Sequence, residues 1–346
     1  MAQQGSPLKE IAEGIAKGGV EGTVGSLSRL FRKQPDPEPP SGPFVVRNLA
    51  TSQRFYQQQK LSFVLGDFIA RSDGGRDLLE MVCSLFQQPA CVGIWGEGGS
   101  GKTRLAAEAV SRLLPSFPSG VLWLSAAGRE RFTLDDVLTD LGGMIGGLGK
   151  RNLRLAVVKK LEAMGSVLIV LDNLDKVNDP DLFGFVAELP GNCSLLFTTK
   201  VWLDEVYQDY HLVKVPPLDP QESHALIIQQ ARGRGLTPEQ EKDILQECMG
   251  NAWFIVVLVA AAVQGVLKQM LDYLRQGNDP SPEGRAFGAT YDQLTEEARG
   301  ALAALSLFQP DASLLHLSDI TRLQHLTDVL SELRQWGLAP VCRFQE

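Results

Sequence analysis

Eight consecutive residues have the types and the spacing needed to hold a phosphate chain. Gly96 to Thr103 read GEGGSGKT, which satisfies the pattern G-x4-G-K-[ST]. Glycines let the backbone curl so that successive N–H groups point at phosphate oxygens, and a helix that starts nearby adds its positive end. We predict that Lys102 reaches the β- and γ-phosphates and that the Thr103 hydroxyl ligates Mg²⁺. The predicted phosphate-binding residues are Gly96, Gly98, Gly99, Ser100, Gly101, Lys102 and Thr103.

A second set of candidate residues follows the apolar run Val167–Leu171. Asp172 ends this run, and in P-loop enzymes a carboxylate at such a strand end holds Mg²⁺ directly or through water. The next position, where a catalytic ATPase often has a general base, is Asn173, whose amide cannot usefully accept a proton. Asp175 has two open interpretations, a substitute base or a residue of the turn. The predicted catalytic residues are Lys102, Asp172 and Asp175, and the predicted Mg²⁺ ligands are Thr103 and Asp172.

These residues need strands and helices to position them, and the following pattern supplies both. Short apolar runs alternate with amphipathic stretches such as Leu105–Leu114 and Leu153–Met164. Such alternation predicts an α/β fold, with a parallel sheet that helices cover on both faces. After Pro217 we expect three or four helices in residues 219–275, then a mainly helical segment at 285–346 with a strand near its end. The predicted sheet strands are Cys91–Trp95, Val121–Ser125, Val167–Leu171, Ser194–Thr199 and Leu212–Val215, and the terminal strand is Leu338–Phe344.

Composition and charge narrow the function classes. The 346 residues are 44% hydrophobic and 21% charged, which excludes global disorder, a collagen-like repeat and a small disulfide scaffold. The net charge of −8 gives no reason to expect a nucleic-acid partner. Five scattered cysteines without a CxxC pair, and the lack of a secretory signal pattern, favour a cytoplasmic protein. The longest apolar run, Ala252 to Val263, is shorter than the roughly 20 residues of a membrane span.

Further segments follow in an order that resembles the STAND class of signalling P-loop ATPases, specifically the NB-ARC or AP-ATPase type. Phe68–Arg71 (FIAR) is similar to that family's F-V-G-R motif, and Leu195–Lys200 (LLFTTK) is similar to its L-L-T-T-R strand. Val215–Leu218 (VPPL) resembles the entry to the family's first helical domain. Gly250–Trp253 (GNAW) stands where the family has G-L-P-L, and Tyr291–Leu294 (YDQL) matches the start of its winged-helix domain.

The resemblance covers about residues 65–346 and implies both an architecture and a function. It implies a P-loop NTPase domain at residues 44–217, an all-α helical domain at 218–280 and a winged-helix domain at 281–346. In the family, ADP held between the α/β core and the winged helix keeps a closed form, and exchange for ATP opens it for oligomerisation. The expected cofactors are therefore ATP or ADP with Mg²⁺, and a homo-oligomer is expected on activation.

The same resemblance assigns Arg71 as a nucleotide contact and Lys200 as the residue that senses the γ-phosphate. Several departures from the family pattern bear on catalysis. Lys200 replaces an arginine, which keeps the charge but loses the bidentate fork. Ala252 replaces the proline that packs on adenine, and Asn173 replaces the usual base. Residues 344–346 (FQE) fall where the family has M-H-D, without its histidine. Together these departures predict slow hydrolysis or a mainly nucleotide-holding role.

A proline-rich linker at residues 35–43 separates an N-terminal arm, residues 1–34, from the rest. In the arm, apolar side chains recur at mostly helical spacing, and five Lys or Arg against three Glu give a net charge of +2. Gly14, Gly18 and Gly22 permit close helix packing but weaken an isolated helix. Two interpretations stay open. The arm either docks on its own core, or it is an effector helix that self-associates, meets a partner or enters a membrane interface.

The sequence thus predicts an ATP/ADP-binding switch in signalling or defence, in which nucleotide exchange controls opening and oligomerisation and hydrolysis is slow. Two alternatives from other classes stay open, a conventional P-loop ATPase or kinase and a scaffold with a structural nucleotide. A kinase needs an acceptor pocket and a lid, and the helical segment after residue 219 has no recognisable one. The nucleotide that copurifies with the protein discriminates among the three.

Overall fold

The structure is a computed structural model of the chain. It describes residues 68–126, 132–146, 152–176, 179–200, 210–276, 282–305, 314–336 and 338. The predictions for the arm, the linker and residues 344–346 fall outside this range and stay predictions. Between Pro216 and Pro217 the chain passes from one compact unit to another, and each unit is described by itself.

The first unit is built on a parallel sheet. After a short antiparallel hairpin, β1 (Ser72–Asp73) with β2 (Arg76–Asp77), come the sheet strands β3 (Cys91–Trp95), β4 (Val121–Ser125), β5 (Val167–Asp172), β6 (Cys193–Thr199) and β7 (His211–Lys214). They pair in the order β4-β5-β6-β3-β7, and each pairing is parallel. The five strands lie within one residue of the predicted bounds, and the predicted α/β fold is confirmed.

Helices cover both faces of this sheet. They are α1 (Leu78–Ser84), α2 (Lys102–Leu113), α3 (Leu134–Ile145), α4 (Leu153–Met164) and α5 (Pro180–Ala187). Successive side chains of a strand point to opposite faces. In β5, Val167, Ile169 and Leu171 therefore join one apolar cluster with α3, α4 and α5, whereas Leu168 and Val170 join a second cluster with α1 and α2. Because β5 is buried on both sides, its sequence is a continuous apolar run that ends in Asp172.

The described part of the second unit consists of helices. They are α6 (Pro220–Ala231), α7 (Pro238–Cys248), α8 (Ala252–Val263), α9 (Leu267–Gln276), α10 (Pro282–Gln293), α11 (Glu296–Leu305), α12 (Leu314–Thr321) and α13 (Leu326–Gln335). Side chains of Asp219, Thr237 and Asn251 accept backbone N–H groups at the starts of α6, α7 and α8, which satisfies donors that a helix start leaves unpaired.

Helix α8 accounts for the longest apolar run of the sequence. It packs against α6, α7, α9 and α10, and most of its side chains from Ile255 to Ala262 are buried. It is thus a core helix, as its length predicts. Among the described residues, no helix combines the length and the apolar character that crossing a membrane requires.

The C-terminal helices α10 to α13 occupy the segment assigned by resemblance to a winged helix. Tyr291, from the YDQL motif, is 4% exposed and its ring stacks on that of Phe287 with the centroids 6.1 Å apart. Of the strand expected at Leu338–Phe344, only Leu338 is among the described residues. The helical character is therefore in place, and the winged helix itself stays a prediction.

Candidate functional site

The predicted phosphate-binding loop connects the end of β3 at Trp95 to the start of α2 at Lys102. Gly96 has a φ of +155°, and a Cβ atom there would stand 2.8 Å from the carbonyl oxygen of Val215. Gly101, directly before the helix, has a φ of +93°, in the left-handed region that favours glycine. The loop thus depends on glycine both for room beside a neighbouring strand and for its turn into the helix.

Helix α2 begins without a side-chain cap. Gly101 is its N-cap residue and has no side chain to accept the first N–H groups of the helix. These N–H groups and the helix dipole favour an anion at this end. The structure thus provides a helix N-terminus of the kind that binds phosphate.

Lys102 turns its side chain back over the loop. Its Nζ donates hydrogen bonds to the carbonyl oxygens of Gly96, at 2.8 Å, and Glu97, at 2.7 Å. The residue is only 6% exposed, and burial lowers the pKa of Lys102 because it removes water from the charged form. The carboxylates of Asp175 and Asp172 oppose this shift, whereas the positive charge of Lys200 adds to it. Lys102 is therefore a cation held inside the loop, close to both predicted acids.

Ser100 gives a direct test of whether the loop fits a phosphate. The residue is 4% exposed, and its Oγ makes no hydrogen bond to any described residue. A buried hydroxyl without a partner costs free energy, so natural structures rarely leave one. A phosphate oxygen would accept its proton, beside the helix N-terminus and the Lys102 charge. The residues present fit an anionic phosphate group.

The predicted Mg²⁺ ligands lie together. Thr103 Oγ1 donates to Asp172 Oδ1 at 2.8 Å, which joins the first turn of α2 to the end of β5. Asp172 is 5% exposed and also accepts hydrogen bonds from Thr198 Oγ1, at 2.7 Å, and Ser125 Oγ, at 3.3 Å. A carboxylate with nearby hydroxyl oxygens is the donor set that Mg²⁺ prefers, and Thr103 and Asp172 would hold it here.

Asn173 and Asp175 follow Asp172 in a turn at the same edge of the sheet. Asn173 has a φ of +62°, and its backbone N–H donates to Thr198 Oγ1 at 2.9 Å. Asn and Asp tolerate this left-handed conformation better than most side chains do. Asp175 Oδ1 accepts the backbone N–H of Lys200 at 3.1 Å, so one of its oxygens fastens the turn to the end of β6. This hydrogen bond agrees with the interpretation of Asp175 as a residue of the turn. The role of Asp175 as a substitute base stays a prediction.

The two basic residues assigned by resemblance occupy different settings. Lys200 directly follows β6 and is exposed, and its positive charge is close enough to lower the pKa of Lys102. Arg71 is 6% exposed, and its Nη1 and Nη2 donate to the carbonyl oxygens of Ser100 and Pro216. Arg71 thus ties the phosphate-binding loop to the segment that follows β7. Its predicted contact with the nucleotide stays a prediction.

Two residues of the site were not among the predicted site residues, although one of them, Thr198, lies within the LLFTTK segment. Ser125 ends β4 and Thr198 lies next to the end of β6, and both reach Asp172 through strand pairing. The available signal is a hydroxyl residue inside an otherwise apolar strand. Thr198 is 0% exposed, and a fully buried polar side chain needs a partner.

Comparison with known proteins agrees with this architecture. No family model matches the sequence. The chain is 26% identical over 307 residues to the apoptotic protease-activating factor 1 of Danio rerio, a match that covers 77% of this chain and 23% of that protein. A solved structure of a Signal Transduction ATPase with Numerous Domains (STAND) protein with a tetratricopeptide repeat sensor, from Pyrococcus horikoshii, aligns with a TM-score of 0.51. Its sequence identity is 18%, and the alignment covers 81% of this chain and 41% of that one.

This chain corresponds to only part of each of these two proteins. The chain spans less than a quarter of the length of the Danio rerio protein and less than half of the Pyrococcus horikoshii protein. The structural match shows a shared fold. Together with the motif order in the sequence, the two matches support the resemblance to the STAND class.

Proposed function

We propose that this chain, a STAND/NB-ARC-like P-loop NTPase, binds ATP and ADP with Mg²⁺ and acts as a signalling switch. The observation that carries the proposal is the convergence of three features at one strand–loop–helix junction. These are the buried Lys102 cation, the Ser100 hydroxyl, which has no hydrogen-bond partner among the described residues, and the Thr103–Asp172 pair. Each suits a different part of a magnesium–nucleotide: a phosphate charge, a phosphate oxygen and the cation.

Different groups of the site bind different parts of the magnesium–nucleotide. Backbone N–H groups of the loop and of the first turn of α2 donate to phosphate oxygens. The ammonium of Lys102 exchanges its two carbonyl acceptors for phosphate oxygens, which carry more charge. Thr103 and Asp172 hold Mg²⁺, whose chemistry when bound is to neutralise charge on the phosphates.

Hydrolysis is slow in this proposal because Asn173 occupies the position directly after Asp172, where a catalytic ATPase often has a general base. Asn173 cannot take a proton from water, and Asp175 uses one carboxylate oxygen to hold the Lys200 N–H. A bound ATP therefore persists long enough to define a state. In this proposal the exposed side chain of Lys200 contacts the γ-phosphate and so distinguishes ATP from ADP.

The switch itself follows the logic of nucleotide-controlled proteins. ADP favours a closed form, ATP favours an open form, and the difference in affinity for the two forms sets the population of each. We propose that the open form assembles into a homo-oligomer. The support is the motif order of the sequence, which resembles a family whose members oligomerise on nucleotide exchange. Light scattering with saturating ADP and with a non-hydrolysable ATP analogue measures this: a mass that is the same with both contradicts the assembly.

Extraction and identification of the copurifying nucleotide tests the proposal. The wild-type protein is expected to release ADP that exchanges with added ATP, and Lys102→Ala to copurify without nucleotide. Lys160→Ala is the matched control, because Lys160 is an exposed lysine of α4, and it is expected to retain nucleotide.

Other outcomes identify the alternatives. A turnover typical of vigorous ATPases, or phosphate transfer to an acceptor, indicates a conventional enzyme. ATP that neither exchanges nor turns over indicates a scaffold with a structural nucleotide. Loss of nucleotide in both lysine variants would contradict the assignment of Lys102.

A further inference from the structure

Thr198 connects the predicted acid of the site to the backbone that follows it. It lies on β6, and its side chain is fully buried. Its hydroxyl donates to Asp172 Oδ1 at 2.7 Å and accepts the backbone N–H of Asn173 at 2.9 Å. A hydroxyl has one proton to donate and two lone pairs, so a single Thr198 can make both bonds. Thr198 lies within the LLFTTK segment, but the resemblance assigns a role there only to Lys200.

The carboxylate of Asp172 is held at both oxygens. Oδ1 accepts from Thr198 and from Thr103, and Oδ2 accepts from Ser125 at the longer distance of 3.3 Å. The three hydroxyls come from β6, α2 and β4, so they fix the carboxyl plane from separate elements. A buried carboxylate held in this way is oriented before any ligand arrives.

The hydroxyls of Thr103 and Thr198 have different consequences for a bound cation. Thr103 can give a lone pair to Mg²⁺ and still donate its proton to Asp172. The proton of Thr198 and one of its lone pairs are used by protein groups, and its complete burial keeps it away from a ligand. Thr198 therefore acts on the cation only through the orientation of Asp172.

We infer that Thr198 is a positioning residue that orients Asp172 for Mg²⁺, so that its hydroxyl sets the affinity for the cation and not the affinity for the nucleotide. The inference rests on the proposed function, since it requires a magnesium–nucleotide at the loop. Removal of groups that orient a metal ligand typically weakens metal affinity about 10- to 100-fold. The phosphate-binding residues Lys102 and Ser100 do not contact Thr198 in the hydrogen bonds of the site.

The experiment compares Thr198→Val, which keeps the shape and removes the hydroxyl, with Thr198→Ser, which keeps the hydroxyl. Binding of a fluorescent ATP analogue is titrated against Mg²⁺ and repeated in EDTA. In Thr198→Val the Mg²⁺ concentration for half-maximal effect is expected to rise at least about tenfold, with the affinity in EDTA changed less than about twofold. Thr198→Ser is expected to stay within about threefold of wild type in both.

Thr290→Val is the matched control. Thr290 is also 0% exposed, but its hydroxyl bonds to the carbonyl oxygen of Ala286 in α10, in the second unit. It is expected to leave both affinities unchanged. If Thr198→Val does not fold, Ser125→Ala carries the test, with a smaller rise in the Mg²⁺ requirement because its contact with Asp172 is longer.

The outcomes separate this inference from the proposed function. A wild-type protein that binds no nucleotide contradicts the proposed function, and the inference with it. A wild-type protein that binds in a Mg²⁺-dependent way, with the same dependence in Thr198→Val, overturns the inference alone. Equal losses with Mg²⁺ and in EDTA, without rescue by Thr198→Ser, also overturn it, because they indicate a structural role.

Discussion

At the residue scale, Lys102 holds its charge in a setting that makes the charge costly. The side chain is 6% exposed, and two neutral carbonyl oxygens are its hydrogen-bond acceptors. Burial lowers the pKa of Lys102, and the nearby positive charge of Lys200 lowers it further, against the opposing carboxylates. A phosphate brought beside it supplies negative charge that favours the protonated form.

This pKa shift predicts how nucleotide affinity depends on pH. The protonated form of Lys102 binds phosphate. The affinity for nucleotide is therefore highest at pH values below the lowered pKa of Lys102, and it falls as the pH rises through that pKa. The fall therefore begins below the ordinary lysine pKa of about 10.4. Fluorescence titrations with ADP from pH 7 to about 10, with proton uptake measured by calorimetry in two buffers, check this prediction. An affinity that is flat over this range contradicts it.

Asn173 offers a way to restore the missing base without disturbing the turn. Its φ of +62° is a conformation that aspartate adopts almost as readily, so Asn173→Asp is expected to fold normally. The new carboxylate is expected to raise the rate of ATP hydrolysis at least about tenfold, below the usual range for a positioned base. Single-turnover release of phosphate measures it, and Asn173→Gly, which tolerates the left-handed conformation and adds no base, is the control. An equal rate in both variants would contradict a general-base position at residue 173.

The site shows which residues a local pattern can reveal. Lys102 and Thr103 were predictable because their spacing in the loop is itself the signal. Thr198 and Ser125 were not, because their place beside Asp172 depends on which strands pair. Arg71 is intermediate: a resemblance singled it out, but its two backbone acceptors follow only from the folded loop.

At the element scale, β3 is a central strand with neighbours on both sides. It pairs with β6 and with β7, and Gly93 lies at its centre. A Cβ atom at Gly93 would stand 2.5 Å from Leu212 Cδ2 and 2.5 Å from Phe197 Cζ. The glycine thus provides the space for two large side chains of the adjacent strands.

Two glycine-to-alanine changes are expected to move stability in opposite directions. Gly93→Ala is expected to destabilise the fold by about 1–3 kcal/mol, because the methyl group overpacks the sheet. Gly184→Ala, in the exposed part of α5 where a Cβ atom would meet nothing closer than 3.9 Å, is expected to stabilise it by about 0.5–1 kcal/mol. The midpoints of urea denaturation measure both changes. Shifts of the same sign would contradict the packing argument.

The elements were more predictable than their arrangement. The strands were found from their apolar runs because helices cover both sheet faces, and α4 has the bounds that its periodicity predicts. The order β4-β5-β6-β3-β7 could not be predicted from the sequence, because a parallel pairing leaves no local mark on either strand. The helical character of the second unit was predicted from the loss of strand signals after Pro217.

At the scale of the whole molecule, the described site lies within one unit. The loop, both acids, Thr198 and Lys200 all belong to the unit that ends at Pro216. A ligand that binds only the folded unit stabilises it by mass action, by about 2.7 kcal/mol at a concentration of 100 Kd.

Hydrogen exchange with and without Mg²⁺–ADP tests this stabilisation. Amides of β3, β5 and β6 that exchange through unfolding of the unit are expected to exchange roughly 100-fold more slowly at 100 Kd. Lys102→Ala is expected to remove the effect at the same ligand concentration. Protection in the variant equal to that in the wild-type protein would show that the ligand binds elsewhere.

The strand order also dictates when a nascent chain can acquire this site. β3 ends at residue 95, whereas its neighbours β6 and β7 begin at residues 193 and 211. At a synthesis rate of about 5–20 residues per second, β3 waits roughly 5–20 s for the first of them. During that interval the backbone N–H and C=O groups along both edges of β3 have no sheet partner, and chaperones or self-association can compete for the strand. Nucleotide binds only the completed sheet. It therefore cannot stabilise the chain during the interval in which β3 has no partner strand.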